Sequence, residues 1–136
     1  MSELVDRLND ALGWEMRAMT LYAHYSAYVK GLHRLQLKPY FDGEATESIA
    51  HANTVRAAIV KLGGTARTAR DTTEIVHTTD YRVMLDEALK TETHAARSYK
   101  EILGMGGLDS ELYDAIEQIY FAEERSVEEL HQMGIA

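Results

Sequence analysis

Four stretches of apolar residues at helical period, joined by a short, a long and a short connection, limit what this chain can fold into more than any other feature. Apolar side chains recurring every three to four positions make a stripe along one side of a helix, and that stripe must be covered by another element. The pattern predicts helices at about residues 2–30, 39–62, 80–103 and 109–133. Local punctuation agrees: Ser2 is placed as an N-cap, Gly31 follows the first helix, and Pro39 suits the first turn of the second. Gly63-Gly64 and Gly104 close the second and third helices, and Asp109 suits the cap of the fourth. Short links make antiparallel hairpins of helices one–two and three–four. The link from Gly63 to Thr79 is long. A helix of about 25 residues spans roughly 38 Å, whereas about 17 extended residues reach roughly 55 Å. That link can therefore cross the whole bundle and leave helices two and three parallel. The expectation is one all-α domain over residues 1–136, a four-helix bundle with one long crossover between helices two and three.

Each stripe carries an ionisable residue near its middle. In the first helix Leu4, Leu8, Leu12, Met19, Tyr22 and Val29 fall within about 60° of one direction, with Glu15 central. In the third, Leu85, Ala88, Ala96 and Tyr99 flank Glu92; in the fourth, Ile116, Ile119, Val127 and Leu130 flank Glu123. The second helix is more polar, but Val55, Ala58 and Leu62 define a face centred on His51. Glu44 and Glu47 share that face, and Ser48 sits toward its edge. Burying one unpaired carboxylate costs several kcal/mol, and converging carboxylates repel one another and take up protons. No Lys or Arg occupies a central stripe position to answer them. A bound cation neutralises the charge and occupies the lone pairs, so the constellation points to a metal site. The chain has no cysteine, so any metal is held by carboxylate and imidazole, a donor set suited to iron or manganese and also open to zinc. Tyr22 and Tyr99 lie on the same faces and are expected as core aromatics with hydrogen-bonded hydroxyls.

Other candidates are weaker. Glu128 and His131 have ligand-pair spacing, yet Glu128 lies about 140° from Glu123 on the helical wheel, and His94 lies about 160° from Glu92. His24, His33 and His77 have no ligand partner at helical spacing. The net charge of −8 argues against nucleic acid as a partner, because an acidic surface repels phosphate. No apolar run approaches a membrane span, and the amphipathic start MSELVDRLNDAL lacks the order of a signal peptide, so a cytoplasmic location is expected.

The stretch containing Leu8-Asn9, Leu12-Gly13, Glu15, Ala18 and Tyr22 resembles the first helix of a bacterioferritin. So, in order, do Glu44, His51-Ala52, Leu62-Gly63-Gly64, Met84-Leu85 with Glu92, and Glu123-Glu124. The resemblance spans nearly the whole chain and implies a ferritin-like four-helix bundle with a di-iron carboxylate centre. In that family helices one and three each give a glutamate, and helices two and four each give Glu-x-x-His. Carried over by position, Glu15 and Glu92 are the single ligands, His51 is the histidine of helix two, and Glu123 is the bridging glutamate of helix four. Ser48 stands where the helix-two glutamate belongs and Ser126 where the helix-four histidine belongs. Glu47 or Glu44 is available to replace the missing carboxylate. The expected metal ligands are thus Glu15, Glu47, His51, Glu92 and Glu123, holding one or two iron ions.

Ile49 occupies the position of the family's haem-binding methionine, so no haem is expected. The chain ends a few residues after helix four, so the family's short fifth helix is not expected, and a homo-oligomer, either a dimer or a larger shell, is. The resemblance implies Fe(II) binding within the bundle and its oxidation by dioxygen or peroxide, as in iron storage or detoxification. The alternative is a ferritin-like scaffold or assembly subunit with a mononuclear or empty site. A DNA-protecting miniferritin fits less well, since no basic tail is visible, and the cysteines of a rubrerythrin are absent.

Overall fold

The computed structural model describes residues 2–134. Burial follows the stripes. Leu4, Leu8, Leu12 and Tyr22 are buried along α1 (Ser2–Tyr28), and Phe41, Val55 and Ile59 along α2 (Arg34–Lys61). Met84, Ala88 and Tyr99 are buried on α3 (Tyr81–Leu103), and Ile116, Ile119 and Leu130 on α4 (Ser110–Gln132). No strand occurs among the described residues, and no helix there is long and apolar enough to cross a membrane. Asp80 caps α3 by accepting from the Arg82 amide at 2.9 Å, and Asp109 caps α4 by accepting from the Leu112 amide at 2.8 Å. The cap assigned to Ser2 rests on a side chain outside the described residues.

One boundary differs from the sequence expectation. α2 starts at Arg34, so Pro39 lies inside the helix rather than in its first turn. The Arg34 guanidinium donates to the Ser26, Ala27 and Val29 carbonyls at 3.3, 3.3 and 2.9 Å, satisfying groups that the end of α1 leaves unpaired. Leu37 and Phe41 are buried and draw these early turns onto the core. The hydrogen bond that Pro39 cannot make would end on the carbonyl of Leu35, a residue 81% exposed.

Residues 62–80 contain no helix and run along α1 in register. The Asn9 amide group donates to the Thr65 carbonyl at 3.0 Å, and the Asp71 amide donates to the Gly13 carbonyl at 3.0 Å. Further along, Arg17 reaches Thr73 and Glu74, and the Tyr25 hydroxyl donates to the Val76 carbonyl at 2.7 Å. From Asn9 to Tyr25 the strap covers roughly 24 Å of helix axis. It leaves α2 at Gly63, whose φ of +82° an L side chain rarely adopts, and packs Gly64 against Val5 near the start of α1. It delivers α3 beside the α1–α2 turn, where His33 stacks on Tyr81 with ring centroids 4.0 Å apart. α1 packs against α2 and α3, α3 packs against α4, and α2 meets α4 only sparsely.

The apolar core is divided. One cluster gathers Leu8, Leu12, Val55, Ile59, Tyr99 and Ile116; the other gathers Leu21, Tyr22, Tyr25, Phe41, Met84 and Leu130. Buried charged residues from α1, α3 and α4 lie near the middle of the same helices.

Candidate metal centre

Glu15, Glu92 and Glu123 are 2%, 4% and 2% exposed, figures ordinary for leucine and not for glutamate. His51 Nδ1 lies 2.9 Å from Glu123 Oε1 and 3.4 Å from Glu15 Oε2. One ligand atom from each of Glu15, His51 and Glu123 falls within 4.8 Å of the other two, the separation at which a single ion can be chelated. The Tyr99 hydroxyl donates to Glu15 Oε2 at 2.7 Å and so fixes that carboxylate from α3. The second oxygen of Glu123 is buried with no hydrogen-bond partner, as is the Tyr22 hydroxyl. The hydrogen bond expected of Tyr99 is thus made, whereas the Tyr22 hydroxyl lies by Glu92 without a hydrogen bond of full geometry.

The electrostatics match the geometry. Burial pushes the Glu92 carboxyl up to about 7, with the Glu15 and Glu44 charges acting in the same direction. Glu123 is raised well above the usual carboxylate range by burial and by Glu92 and Glu15. Burial, with the charge of Glu47, lifts Glu44 to about 6. For His51, burial works to lower the pKa, but the hydrogen bond and charge of Glu15 outweigh it and the net shift is upward. Acids pushed up and a base pushed up together mark a centre that gathers positive charge, as protons or as a metal cation.

The remaining candidates are placed as follows. Glu47 is half-buried and stands outside the group of three, lining a cleft of about 140 Å³ between α2 and α4 with Tyr40, Glu44, Arg125, Ser126 and Glu129. Glu44 extends across that cleft, and Ser126 Oγ donates to its Oε1 at 3.1 Å. Ser48 and Ser126 are both buried. A second cleft, of about 510 Å³, is lined by His51, Ala122 and Arg125 among others and gives the imidazole an open side. Glu128 and His131 are exposed. His94 stacks on Trp14 with centroids 3.9 Å apart, and His24 Nε2 lies 2.9 Å from His77 Nδ1, joining α1 to the strap away from the centre.

Sequence reasoning missed Arg17. It is 3% exposed and donates to the Thr73 and Glu74 carbonyls at 2.9 and 2.7 Å and to Thr91 Oγ1 at 3.0 Å. Its side chain is spent on holding the strap. It does not neutralise the carboxylates of the centre.

Comparison with known proteins agrees over the whole chain. The model of the family described as ferritin-like domain matches residues 5–133. A ferritin-like, diiron-carboxylate protein from Bacillus anthracis is 30% identical, with a TM-score of 0.91 over 97% of this chain and 95% of that one. A dodecameric thioferritin from Bacteroides fragilis, described as bacterioferritin-related, is 26% identical, with a TM-score of 0.88 over 96% and 83%. A Dps protein from Vibrio cholerae is 16% identical and shares the fold, with a TM-score of 0.90 over 97% and 89%. No curated protein sequence matches the chain.

Proposed function

The chain belongs to the ferritin-like domain family, and from that premise we propose that it binds Fe(II) at Glu15, His51 and Glu123 and oxidises it there. The observation that carries this reading is the convergence of three buried or half-buried ligand atoms beside a carboxylate oxygen with no partner. Two carboxylates and one imidazole suit ferrous iron, and no thiolate competes for softer metals. The group fits a cation physically, since burial and neighbouring carboxylates push the Glu92 and Glu123 carboxyls up and a positive charge at this point relieves both.

Iron is here the substrate. Two Fe(II) ions each give one electron to dioxygen, which takes up two protons and leaves as hydrogen peroxide. Anionic carboxylates favour the more highly charged ferric product, and that differential binding is the chain's contribution to the driving force. Tyr99 holds Glu15 in place from behind, and the cleft over His51 leaves a side open for iron and oxidant. The Bacteroides fragilis relative is dodecameric by its description, and we propose that this chain too assembles into a homo-oligomer, which native mass measurement tests.

Anaerobic titration with Fe(II), followed by admission of air, tests the reading. The wild type is expected to bind iron and form ferric species, and Glu123→Ala to lose most of both. Uptake and oxidation unchanged in Glu123→Ala would remove the bundle centre from the account. The two serines favour a second reading, a scaffold whose centre has lost its chemistry. Absence of Fe(II) binding in the wild type would select it.

A further inference from the structure

Among the described residues, the hydrogen bonds that tie the strap to α1 involve a backbone carbonyl or amide, with one exception. Toward the end of α1, His24 Nε2 meets His77 Nδ1 at 2.9 Å, and here two side chains face each other, each offering a metal ligand atom. We propose that His24 and His77 chelate a divalent transition ion of the copper, nickel and zinc class, which fastens the strap to α1 at a site separate from the buried centre.

Seven residues separate Arg17 from His24, about two helical turns, so both lie on the side of α1 that the strap covers. Glu15 lies about 180° from His24 on the helical wheel, which puts the pair across the helix from the carboxylates. Helical spacing does not join the two histidines in the sequence, because His77 stands on a segment without periodicity. Their neighbours hold them in place. The buried Tyr25 donates its hydroxyl proton to the Val76 carbonyl at 2.7 Å, so consecutive residues of α1 hold consecutive residues of the strap. Tyr28, one turn beyond His24, packs against both imidazoles, with ring centroids 4.6 Å from His24 and 4.7 Å from His77. The two ligand atoms are thus brought together by the fold, which leaves less ordering to be done on binding. His77 is exposed and His24 half-buried, so solvent has access to the pair.

The separation suits the chemistry. Imidazole nitrogens about 2.0–2.1 Å from an ion stand roughly 2.8–3.0 Å apart at a right angle and roughly 3.3–3.4 Å apart at a tetrahedral one. The observed 2.9 Å matches neighbouring positions of a tetragonal ion. A tetrahedral ion needs the nitrogens only about 0.4–0.5 Å further apart. In the hydrogen bond, one ring donates its N–H to the lone pair of the other. A shift of that proton to the second nitrogen of the donating ring frees both lone pairs for the ion, and no proton leaves. Two neutral imidazoles, with water completing the shell, select borderline ions, whereas the carboxylate-rich centre suits iron or manganese. Occupancy stiffens the crossover that leads to α3, the helix of Glu92 and Tyr99.

One equivalent of Cu(II), followed by electron paramagnetic resonance in frozen solution, reports the nitrogen count without any turnover. The wild type is expected to show a copper signal split by two nitrogens. His24→Gln and His77→Gln are each expected to lose that pattern, whereas His51→Ala and Glu123→Ala keep it. A one-nitrogen signal in the wild type that vanishes in His51→Ala places the ion in the buried centre and overturns the proposal. A two-nitrogen signal that survives in either glutamine variant overturns it as well, as does a wild type that binds no copper. Zn(II) tests the link to the strap. At a free concentration about ten times its dissociation constant it is expected to slow amide exchange at residues 75–78 about tenfold in the wild type and not in His77→Gln. Equal slowing in both, or none in the wild type, overturns the fastening of the strap. His77 is exposed, so its replacement leaves the fold intact, and far-UV circular dichroism checks this. Glu123→Ala disables the Fe(II) reading and leaves this pair untouched, so each fails without the other.

Discussion

Without metal, the protein is expected to become more stable as the pH falls from 8 to 5, the reverse of ordinary acid denaturation. Glu92 gives a magnitude that can be worked, and Glu44, lifted to about 6, adds to it in the same direction. The Glu92 carboxyl moves from an ordinary 4.5 to about 7 on folding, so the folded state holds a proton that the unfolded chain has released. Where the native state binds more protons, stability falls as pH rises. The contribution is fully present below 4.5 and is lost as pH climbs through about 7. Integrated between pH 5 and pH 8, it amounts to about 2–3 kcal/mol. Glu123 is raised too, and His51, raised on folding, likewise stabilises at low pH, so both act in the same direction. The carboxylates lowered on folding, Asp42 and Asp71, lose their contribution only near and below 3.8, outside the window. For a chain of this size about 1 kcal/mol moves the melting temperature by roughly 3–4 °C, so metal-free protein should melt roughly 8 °C higher at pH 5 than at pH 8. Thermal melts in chelator across that range measure it, with Glu92→Gln as the control. The variant removes the Glu92 titration and relieves Glu123 of its strongest neighbouring charge, so the slope should fall clearly. A flat profile in the wild type, or an undiminished slope in Glu92→Gln, would refute the reasoning.

The sequence made the four helices legible because burial leaves a periodic trace, and it made Glu15, His51 and Glu123 legible because a charge in the middle of an apolar stripe contradicts that trace. What it hid depended on partners distant in sequence. Glu44 and Glu47 lie on one face of α2, and only Ser126, contributed by α4, distinguishes them. Arg17 lies about 160° from Glu15 on the helical wheel, which reads as the solvent side. It is buried because the strap between α2 and α3 covers that side, and an irregular segment has no periodicity to announce where it will lie. His94, about 160° from Glu92 on the wheel, is likewise partly covered, here by Trp14 stacked on it. α2 begins before Pro39, the strong local signal for a helix start, because the capping of α1 by Arg34 is a contact formed only once the hairpin closes.

Three further perturbations probe the frame around the centre. Tyr99→Phe removes the 2.7 Å donor from a buried carboxylate oxygen and should cost the metal-free protein about 1–3 kcal/mol by urea denaturation; no loss would mean that Glu15 is held by other means. Gly64→Ala places a Cβ 2.7 Å from Val5 Cγ1 and 3.2 Å from Ile59 Cγ2, an overpacking expected to cost about 1–3 kcal/mol, with most of it recovered when Val5→Ala is added. Arg17→Met sets two effects against each other. Replacing a buried charge by an apolar side chain is often neutral or stabilising, because the cost of desolvating the charge disappears. Here the guanidinium makes three hydrogen bonds at 2.7–3.0 Å, two of them to backbone carbonyls of the strap, of which Thr73 also accepts from Arg70 at 3.1 Å. Both carbonyl contacts are only part-buried, so the desolvation cost is incomplete while the loss on substitution is not. The expected outcome is a destabilisation of about 2–3 kcal/mol, with amide exchange accelerated first at residues 71–77. Unchanged exchange there, in a variant as stable as the wild type, would mean that the strap stays in place by packing alone.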